Sequence, residues 1–132
     1  MTRHKQRECI FKILFKIEFI SHEELNEQID FTMEDMPDIA KEEKAYITTK
    51  VLAIADKLEE IDKIIVDNTE GWTISRIGKA ELAILRLAIY EIKYDEDIPA
   101  GVAINEAVEI AKTYCEEKAN KFVNGILAKI VK

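Results

Sequence analysis

The segment Leu82-Ala-Ile-Leu-Arg-Leu-Ala-Ile-Tyr-Glu-Ile92 decides the fold of this chain. We predict a helix over residues 78–94, and apolar residues occupy nearly every side of it within this segment. A helix that is apolar all round belongs at the centre of a bundle. Arg86, the one arginine in the segment, is predicted to pair with a carboxylate or with carbonyl groups, since buried charges are usually paired. The segment therefore indicates an all-α protein with this helix at its centre.

Helical patterns continue on both sides of the central segment. Apolar residues recur at intervals of three and four, which indicates amphipathic helices, and no stretch alternates in the manner of a strand. Ser21 with Glu24 resembles a capping box. We predict a single domain over residues 1–132, a compact all-α bundle of about six or seven helices. The other helices are expected at residues 2–20, 21–33, 41–57, 58–68 (either separate or continuous with the one before), 99–114 and from 118 onward.

The first predicted helix carries two apolar stripes, which together cover well over half of its circumference. One is aliphatic, and the other consists of Phe11, Phe15 and Phe19 at steps of four residues. Either other helices enclose this helix, which is the commoner cause of such a pattern, or the phenylalanine side contacts a partner. Elsewhere, Trp72 is interpreted as a core residue, and Gly125 as a point of close approach between helices.

Composition and charge predict a soluble cytoplasmic protein. The chain is 48% apolar and 34% charged, and no apolar run approaches the roughly 20 residues that span a bilayer. Cys9 and Cys115 match no metal-ligand spacing and are expected to be buried or half-buried thiols. The net charge is −7, yet residues 1–20 and 111–132 each carry +3, so the 90 residues between them carry −13. Two basic ends of this kind can bind a polyanion if they meet in space.

Catalytic and cofactor-binding patterns are missing from the sequence. The four glycines are scattered and form no phosphate-binding loop, and His4 and His22 have no partners at zinc-ligand spacing. No nucleophile stands in a recognisable relation to a base. We therefore expect a protein that is not an enzyme and that needs neither a metal nor a cofactor.

Several blocks of sequence, in order, resemble the NusB family of bacterial transcription antitermination factors. They are residues 83–92, Asp97-Ile-Pro99, residues 102–112 and residues 121–129, with Trp72 and Arg76 as a weaker block before them. The resemblance implies two small helical subdomains that bind boxA-type single-stranded RNA together with NusE, a small-subunit ribosomal protein. It also implies action with the elongating RNA polymerase, and a homodimer is possible.

The same resemblance, together with local charge, assigns the candidate site residues. Lysine and arginine supply phosphate contacts, and an aromatic ring beside lysines can stack on an unpaired base. The residues expected to bind RNA are Arg3, His4, Lys5, Arg7, Lys118, Lys121, Phe122 and Asn124. Those expected to face NusE are Phe15, Arg76 and Glu81.

Alternative interpretations remain open at this point. The basic start of the first helix could simply be solvated, Phe122 could be an ordinary core residue, and Asn124 could satisfy a neighbouring loop. The whole protein could be a helical adaptor that binds only protein. A salt-dependent affinity for RNA separates the two functions, because counterion release accompanies phosphate contacts.

Overall fold

The computed structural model describes residues 1–131, except for the side chain of His22, and this range consists of seven α-helices joined by turns. No strand occurs within that range. The expectation that His22 is no zinc ligand lies outside the described side chains. Three short 3₁₀ turns, at Ile17–Phe19, His22–Glu24 and Ile74–Arg76, extend or connect the helices. The all-α prediction is confirmed, and Leu58 begins a separate helix. The helices are α1 (Arg3–Lys16), α2 (Leu25–Glu34), α3 (Lys41–Asp56), α4 (Leu58–Asp67), α5 (Lys79–Tyr94), α6 (Ala100–Tyr114) and α7 (Glu117–Ile130).

Helix α5 occupies the centre of the bundle, as its sequence predicts. Every residue from 82 to 89 is buried. Helices α1, α4, α6 and α7 all pack against it, so an apolar side chain finds cover in whichever direction it points. In chain order, we call α1–α4 the N-terminal group and α5–α7 the C-terminal group, although α1 and α4 both pack directly on α5. One continuous apolar core, running from Cys9 to Ile130 in sequence, includes buried residues of both groups.

Two clusters of buried charge join the N-terminal group to α5. Arg86 donates hydrogen bonds to both carboxylate oxygens of Asp62, at 2.8 and 2.7 Å, and also pairs with Glu18. Its predicted pairing with a carboxylate is therefore confirmed. In the second cluster, Glu91 accepts from Arg7 at 3.1 Å and from Lys50 at 2.6 Å. Each cluster fixes α5 against elements far away in sequence.

Both cysteines fit the prediction for thiols. Cys9 is buried, Cys115 is half-buried, and both are free. None of the helices in residues 1–131 combines the length and the hydropathy that a membrane span requires.

The structure corrects three expectations about packing. Phe15 and Phe19 are 38% and 66% exposed, so α1 is not enclosed along its whole length. The reason is that α6, which runs beside α1, ends at Tyr114, whose ring lies 5.0 Å from that of Phe11. No residue of α6 remains to cover Phe15 in the last turn of α1 or Phe19 in the 3₁₀ turn that follows it.

Trp72 and Gly125 are the other two corrections. Trp72 is 43% exposed because it lies in the connection between α4 and α5 rather than on a core-facing helix position. Gly125 lies on the exposed side of α7, and a Cβ atom built there would meet nothing within 4 Å. The expected close helix approach at Gly125 is therefore wrong.

Candidate RNA and partner interface

The basic residues at the start of α1 differ in their availability to a ligand. Thr2 caps the helix by accepting a hydrogen bond from the backbone N–H of Lys5. Arg3 is exposed, with its guanidinium carbon 4.7 Å from the centre of the Tyr46 ring. Lys5 extends into solvent and lies 3.5 Å from a carboxylate oxygen of Glu8. Both cations can reach a phosphate by a change of side-chain rotamer.

His4 is held on the surface between two carboxylates. Its Nδ1 lies 2.6 Å from Glu106, and its Nε2 lies 3.7 Å from Glu8. Burial raises the pKa of Glu8, but the hydrogen bond from Tyr114 and the charges of Lys5 and His4 outweigh burial and bring that pKa below its ordinary value. Glu8 is therefore ionised at neutral pH and compensates part of the positive charge at this end of the chain.

Arg7 is not available to RNA. It is only 7% exposed, and its Nε donates to both oxygens of Glu91, each at 3.1 Å. The sequence could not distinguish it from its exposed neighbours, because its carboxylate partner lies 84 residues further along the chain. This position argues against the predicted contact between Arg7 and phosphate and gives the residue a structural role.

The predicted RNA-binding residues of α7 lie on its outer side, apart from one. Lys118, Lys121 and Asn124 are exposed, whereas Phe122 is half-buried. Phe122 packs on the edge of the core, and its ring centre lies 5.5 Å from that of Trp72, with 43° between the ring planes. Phe122 therefore contacts the core with one part of its ring and is exposed at another, so each of the two interpretations describes part of its position.

A cavity of about 380 Å³ opens beside Phe122. It lies where the connection between α4 and α5 meets the first turns of α5 and α7. Two aromatic rings, two carboxylates and one ammonium group therefore face the same space. The lining residues are Trp72, Ile77, Gly78, Glu81, Glu116, Lys118, Ala119 and Phe122.

Glu81, predicted to face NusE, is oriented by its neighbours. It lies in the first turn of α5, and Gly78 at the N-cap leaves room for its carboxylate, because a Cβ atom at Gly78 would collide with it. Cys115 approaches from the end of α6. Burial raises the pKa of the Cys115 thiol to about 12, and the hydrogen bond to the Glu81 carboxylate and its negative charge contribute to this shift.

Phe15 and Glu81 lie on either side of the first turn of α5. Phe15 lines a second cavity, of about 450 Å³, whose boundary reaches Ala80, the residue directly before Glu81. Arg76 lies near this turn, with its guanidinium carbon 5.8 Å from the centre of the Trp72 ring. The second cavity is lined by Phe11, Lys12, Phe15, Lys16, Phe31, Thr32, Asp35, Met36, Ala80 and Tyr114.

This geometry suits binding. Among the side chains that the structure describes, those of residues 1–131 without His22, no group of three or more His, Cys, Asp or Glu is placed to hold a metal ion. The arrangement instead offers exposed ammonium groups, partly exposed aromatic rings and apolar cavities on adjoining surfaces. Such surfaces contact phosphates, bases and protein side chains.

The comparison with protein families identifies the chain. The model of the NusB family matches residues 4–132. The chain belongs to the NusB family. A transcription antitermination protein NusB from Agathobacter rectalis is 46% identical over 98% of both chains. Another, from Lachnoclostridium phytofermentans, is 44% identical over 99% of both. NusB proteins are transcription antitermination factors, so this family member is not an enzyme.

Solved NusB structures share the fold over almost the whole length. NusB from T. maritima superposes with a TM-score of 0.89 at 36% identity, covering 98% of this chain and 90% of that one. A crystal structure described as antitermination factors NusB and NusE in complex with dsRNA gives a TM-score of 0.85 at 30% identity, covering 98% and 97%. The expectations of a NusB-like fold and of membership in this family are therefore confirmed.

Sequence reasoning misses two features of the NusB surface described here. It places Trp72 in the core and gives Glu116 no role, yet both residues line the cavity beside Phe122. The sequence does contain a signal that Trp72 is not a core residue, because it directly follows Gly71 and lies outside the helical pattern of apolar residues. The backbone of Gly71 has a φ of +83°, a conformation that favours glycine.

Proposed function

We propose that this chain binds boxA-type single-stranded RNA together with NusE and acts in the cytoplasm with the elongating RNA polymerase to oppose termination. The observation that carries the proposal is the adjacency of two surfaces. The cavity beside Phe122, with Lys118 at its rim, adjoins the first turn of α5, where Glu81 lies next to the cavity of Phe15. RNA and a protein partner bound to these surfaces would touch each other across that turn.

The RNA side of the proposal relies on charge and on stacking. Lys118 and Lys121 are exposed on α7, and Arg3 and Lys5 are exposed at the start of α1. Phosphate contacts from such residues supply most of the affinity for a polyanion and make it depend on salt. Phe122 would add a base stack, and Asn124 a hydrogen bond. His4 would contribute only after exchanging a carboxylate partner for a phosphate.

The partner side relies on apolar area flanked by charge. Phe15 contributes a partly exposed ring to a cavity that also contains Phe31 and Met36. Burial of such apolar area drives association, while Glu81 and Arg76 at its margin provide orientation. The structure described as NusB and NusE with dsRNA supports the pairing of these two functions in one family.

A titration of single-stranded boxA-type RNA at two salt concentrations, with and without NusE, tests the proposal. Replacing both Lys118 and Lys121 by alanine should weaken binding and reduce the log–log salt slope by about two units, roughly one per phosphate contact. The matched control replaces Lys41 and Lys63, which are exposed on α3 and α4 and do not line the cavity beside Phe122. An equal loss in both double variants would indicate non-specific attraction and overturn the assignment of α7.

A second function, an adaptor that binds only protein, has one observation in its favour. Phe15, Phe19 and Phe31 are all exposed near the cavity of about 450 Å³, which is a large aromatic surface for a small protein. An adaptor would bind NusE with no salt-dependent RNA affinity. Sedimentation of the free chain would show whether it forms a homodimer.

A further inference from the structure

The cavity beside Phe122 combines groups that suit one particular kind of ligand. Trp72 and Phe122 form an aromatic corner, because their ring centres are 5.5 Å apart and the planes are inclined at 43°. The cavity volume of about 380 Å³ lies within the range of small-molecule sites, roughly 300–1,000 Å³. An aromatic corner of this size offers a flat ligand one ring to stack on and a second ring as a side wall.

The turn that carries Trp72 is held rigidly. Thr69 donates a hydrogen bond from its hydroxyl to the backbone carbonyl of Val66 at 3.0 Å, and the backbone N–H of Trp72 donates to the Thr69 hydroxyl at 3.2 Å. Gly71 provides the positive φ that the turn requires. Trp72 is therefore a preformed platform, and a ligand does not have to order it on binding.

The same cavity is lined by charged groups of both signs. The ammonium group of Lys118 is exposed and can contact a phosphate, whereas the carboxylates of Glu81 and Glu116 are acceptors only. A carboxylate accepts hydrogen bonds from the exocyclic amino group of a base such as cytosine. It is repelled by the carbonyl oxygen that uracil presents at the same position.

We propose that this cavity holds one unpaired RNA base, stacked on Trp72 beside Phe122, and that the carboxylates at its rim select a base with an amino group on its edge. This inference rests on the proposed RNA binding and deepens it by naming Trp72 as a contact and Glu116 as a residue that determines specificity. Glu116 is the simpler of the two carboxylates to test, because the Glu81 carboxylate lies against the N-cap residue Gly78, so that changing it would also disturb the start of α5.

Trp72 is the only tryptophan in the chain, so its fluorescence reports directly on the cavity. Titrating the full chain with single-stranded RNA at low salt should quench this fluorescence along the binding curve that anisotropy of labelled RNA gives. A fully paired RNA duplex of the same sequence should bind through its phosphates and leave the fluorescence nearly unchanged. Binding of the single strand without quenching would overturn the stacking proposal.

Substitution separates the contribution of the ring from that of overall charge. Trp72→Leu keeps an apolar side chain but removes the stacking surface and should weaken single-strand binding by about 5- to 150-fold. Tyr94→Leu, at a half-buried aromatic ring on the end of α5 away from this cavity, is the control and should leave RNA affinity unchanged. Thermal unfolding of both variants checks that each is folded. A folded Trp72→Leu protein with unchanged affinity would remove Trp72 from the site.

Base selection has its own test. In a set of RNAs that differ by cytosine or uracil at one position at a time, the intact chain should prefer cytosine at one position by about fivefold or more. Glu116→Gln should lose that preference, because an amide can donate to the uracil carbonyl as well as accept. Glu117→Gln, at the next residue and outside the cavity, should retain it. If Glu116→Gln kept the preference for cytosine over uracil, Glu116 would not be the residue that selects the base.

These outcomes are distinguishable from failure of the proposed function. If the intact chain binds neither single-stranded RNA alone nor RNA together with NusE, the proposed function itself fails. If it binds but the tryptophan signal, the Trp72 variant and the Glu116 variant all behave like their controls, RNA binding stands and the cavity is not the base site.

Discussion

At the scale of single residues, neighbouring positions of α1 have opposite roles. Arg7 faces α5 and is buried against Glu91, whereas Arg3 and Lys5 extend into solvent. The sequence shows only a basic segment, since the carboxylate that distinguishes Arg7 comes from a distant helix. A buried ion pair and an exposed phosphate contact respond differently to the same substitution, which makes them separable by experiment.

Replacing Arg7 by alanine should destabilise the fold. The change leaves Glu91 buried with Lys50 as its main remaining partner, and removing one member of a buried pair costs roughly 3–5 kcal/mol. We expect a loss of stability near the lower end of that range because Lys50 remains. Urea unfolding measures it, with exposed Arg3→Ala as the control. An Arg7→Ala protein as stable as the control would contradict the structural role.

Replacing Arg3 and Lys5 by alanine should have the opposite signature. Both side chains are exposed, so the free energy of unfolding should change little, while RNA affinity falls and the salt slope decreases by about one unit for each phosphate that is no longer bound. The measurement is a titration of RNA at several salt concentrations. An unchanged slope would show that this segment is merely solvated.

Gly78→Ala tests how Glu81 is oriented. The added Cβ atom would displace the Glu81 carboxylate, so NusE binding should weaken, and the contribution of Glu81 to the raised pKa of the Cys115 thiol should decrease. The pKa of Cys115 should then fall from about 12, and alkylation of this thiol at alkaline pH should accelerate. Gly125→Ala, at a glycine with open space around it, should alter neither property. Unchanged alkylation in Gly78→Ala would show that Glu81 does not control the thiol.

At the scale of helices, sequence patterns predict most of what the structure contains. The apolar residues on all sides of α5, the amphipathic pattern of α7 and the interval between the helices expected at 21–33 and 41–57 are local properties of the sequence, and all are found. What could not be predicted depends on where a neighbouring helix ends. Phe15 and Phe19 continue the pattern of Phe11, yet only Phe11 is covered, because α6 stops at Tyr114.

The attachment of α4, and of the 3₁₀ turn that follows α1, to α5 should weaken at acid pH, because Arg86 pairs with Asp62 and Glu18. Burial raises the pKa of Glu18, but the hydrogen bond and charge of Arg86, with a smaller contribution from Lys79, bring that pKa below its ordinary value of 4.5. A carboxylate whose pKa is depressed by folding stabilises the folded state above its unfolded pKa. This stabilisation is lost as the pH falls through the folded pKa.

The melting temperature should therefore stay nearly constant from about pH 7 to about 5.5 and decline below about pH 4.5. Glu18→Gln should lower the melting temperature at neutral pH and reduce the decline on acidification. Glu59→Gln, at an exposed carboxylate of α4, should keep the full pH dependence. Parallel curves for Glu18→Gln and the unmodified chain would show that this cluster does not govern acid stability.

At the scale of the whole molecule, the fold brings the two basic ends of an acidic chain near each other. The Lys12 ammonium lies 5.8 Å from the centre of the Tyr114 ring, and Lys118 follows only four residues after Tyr114, at the start of α7. The end of α6 thus links the basic side of α1 to that of α7. The charge of both ends and the family can be predicted from the sequence, but their proximity is a property of the tertiary structure.

The buried carboxylate of Glu91 has a consequence for synthesis on the ribosome. Arg7 and Lys50 cannot acquire this partner until about two thirds of the chain has been made. At roughly 5–20 residues per second, translation from Lys50 to Glu91 takes about 2–8 s. During that interval Arg7 of α1 and Lys50 of α3 lack the carboxylate that neutralises them in the folded protein. The nascent N-terminal helices should therefore remain open to proteases and chaperones until α5 emerges.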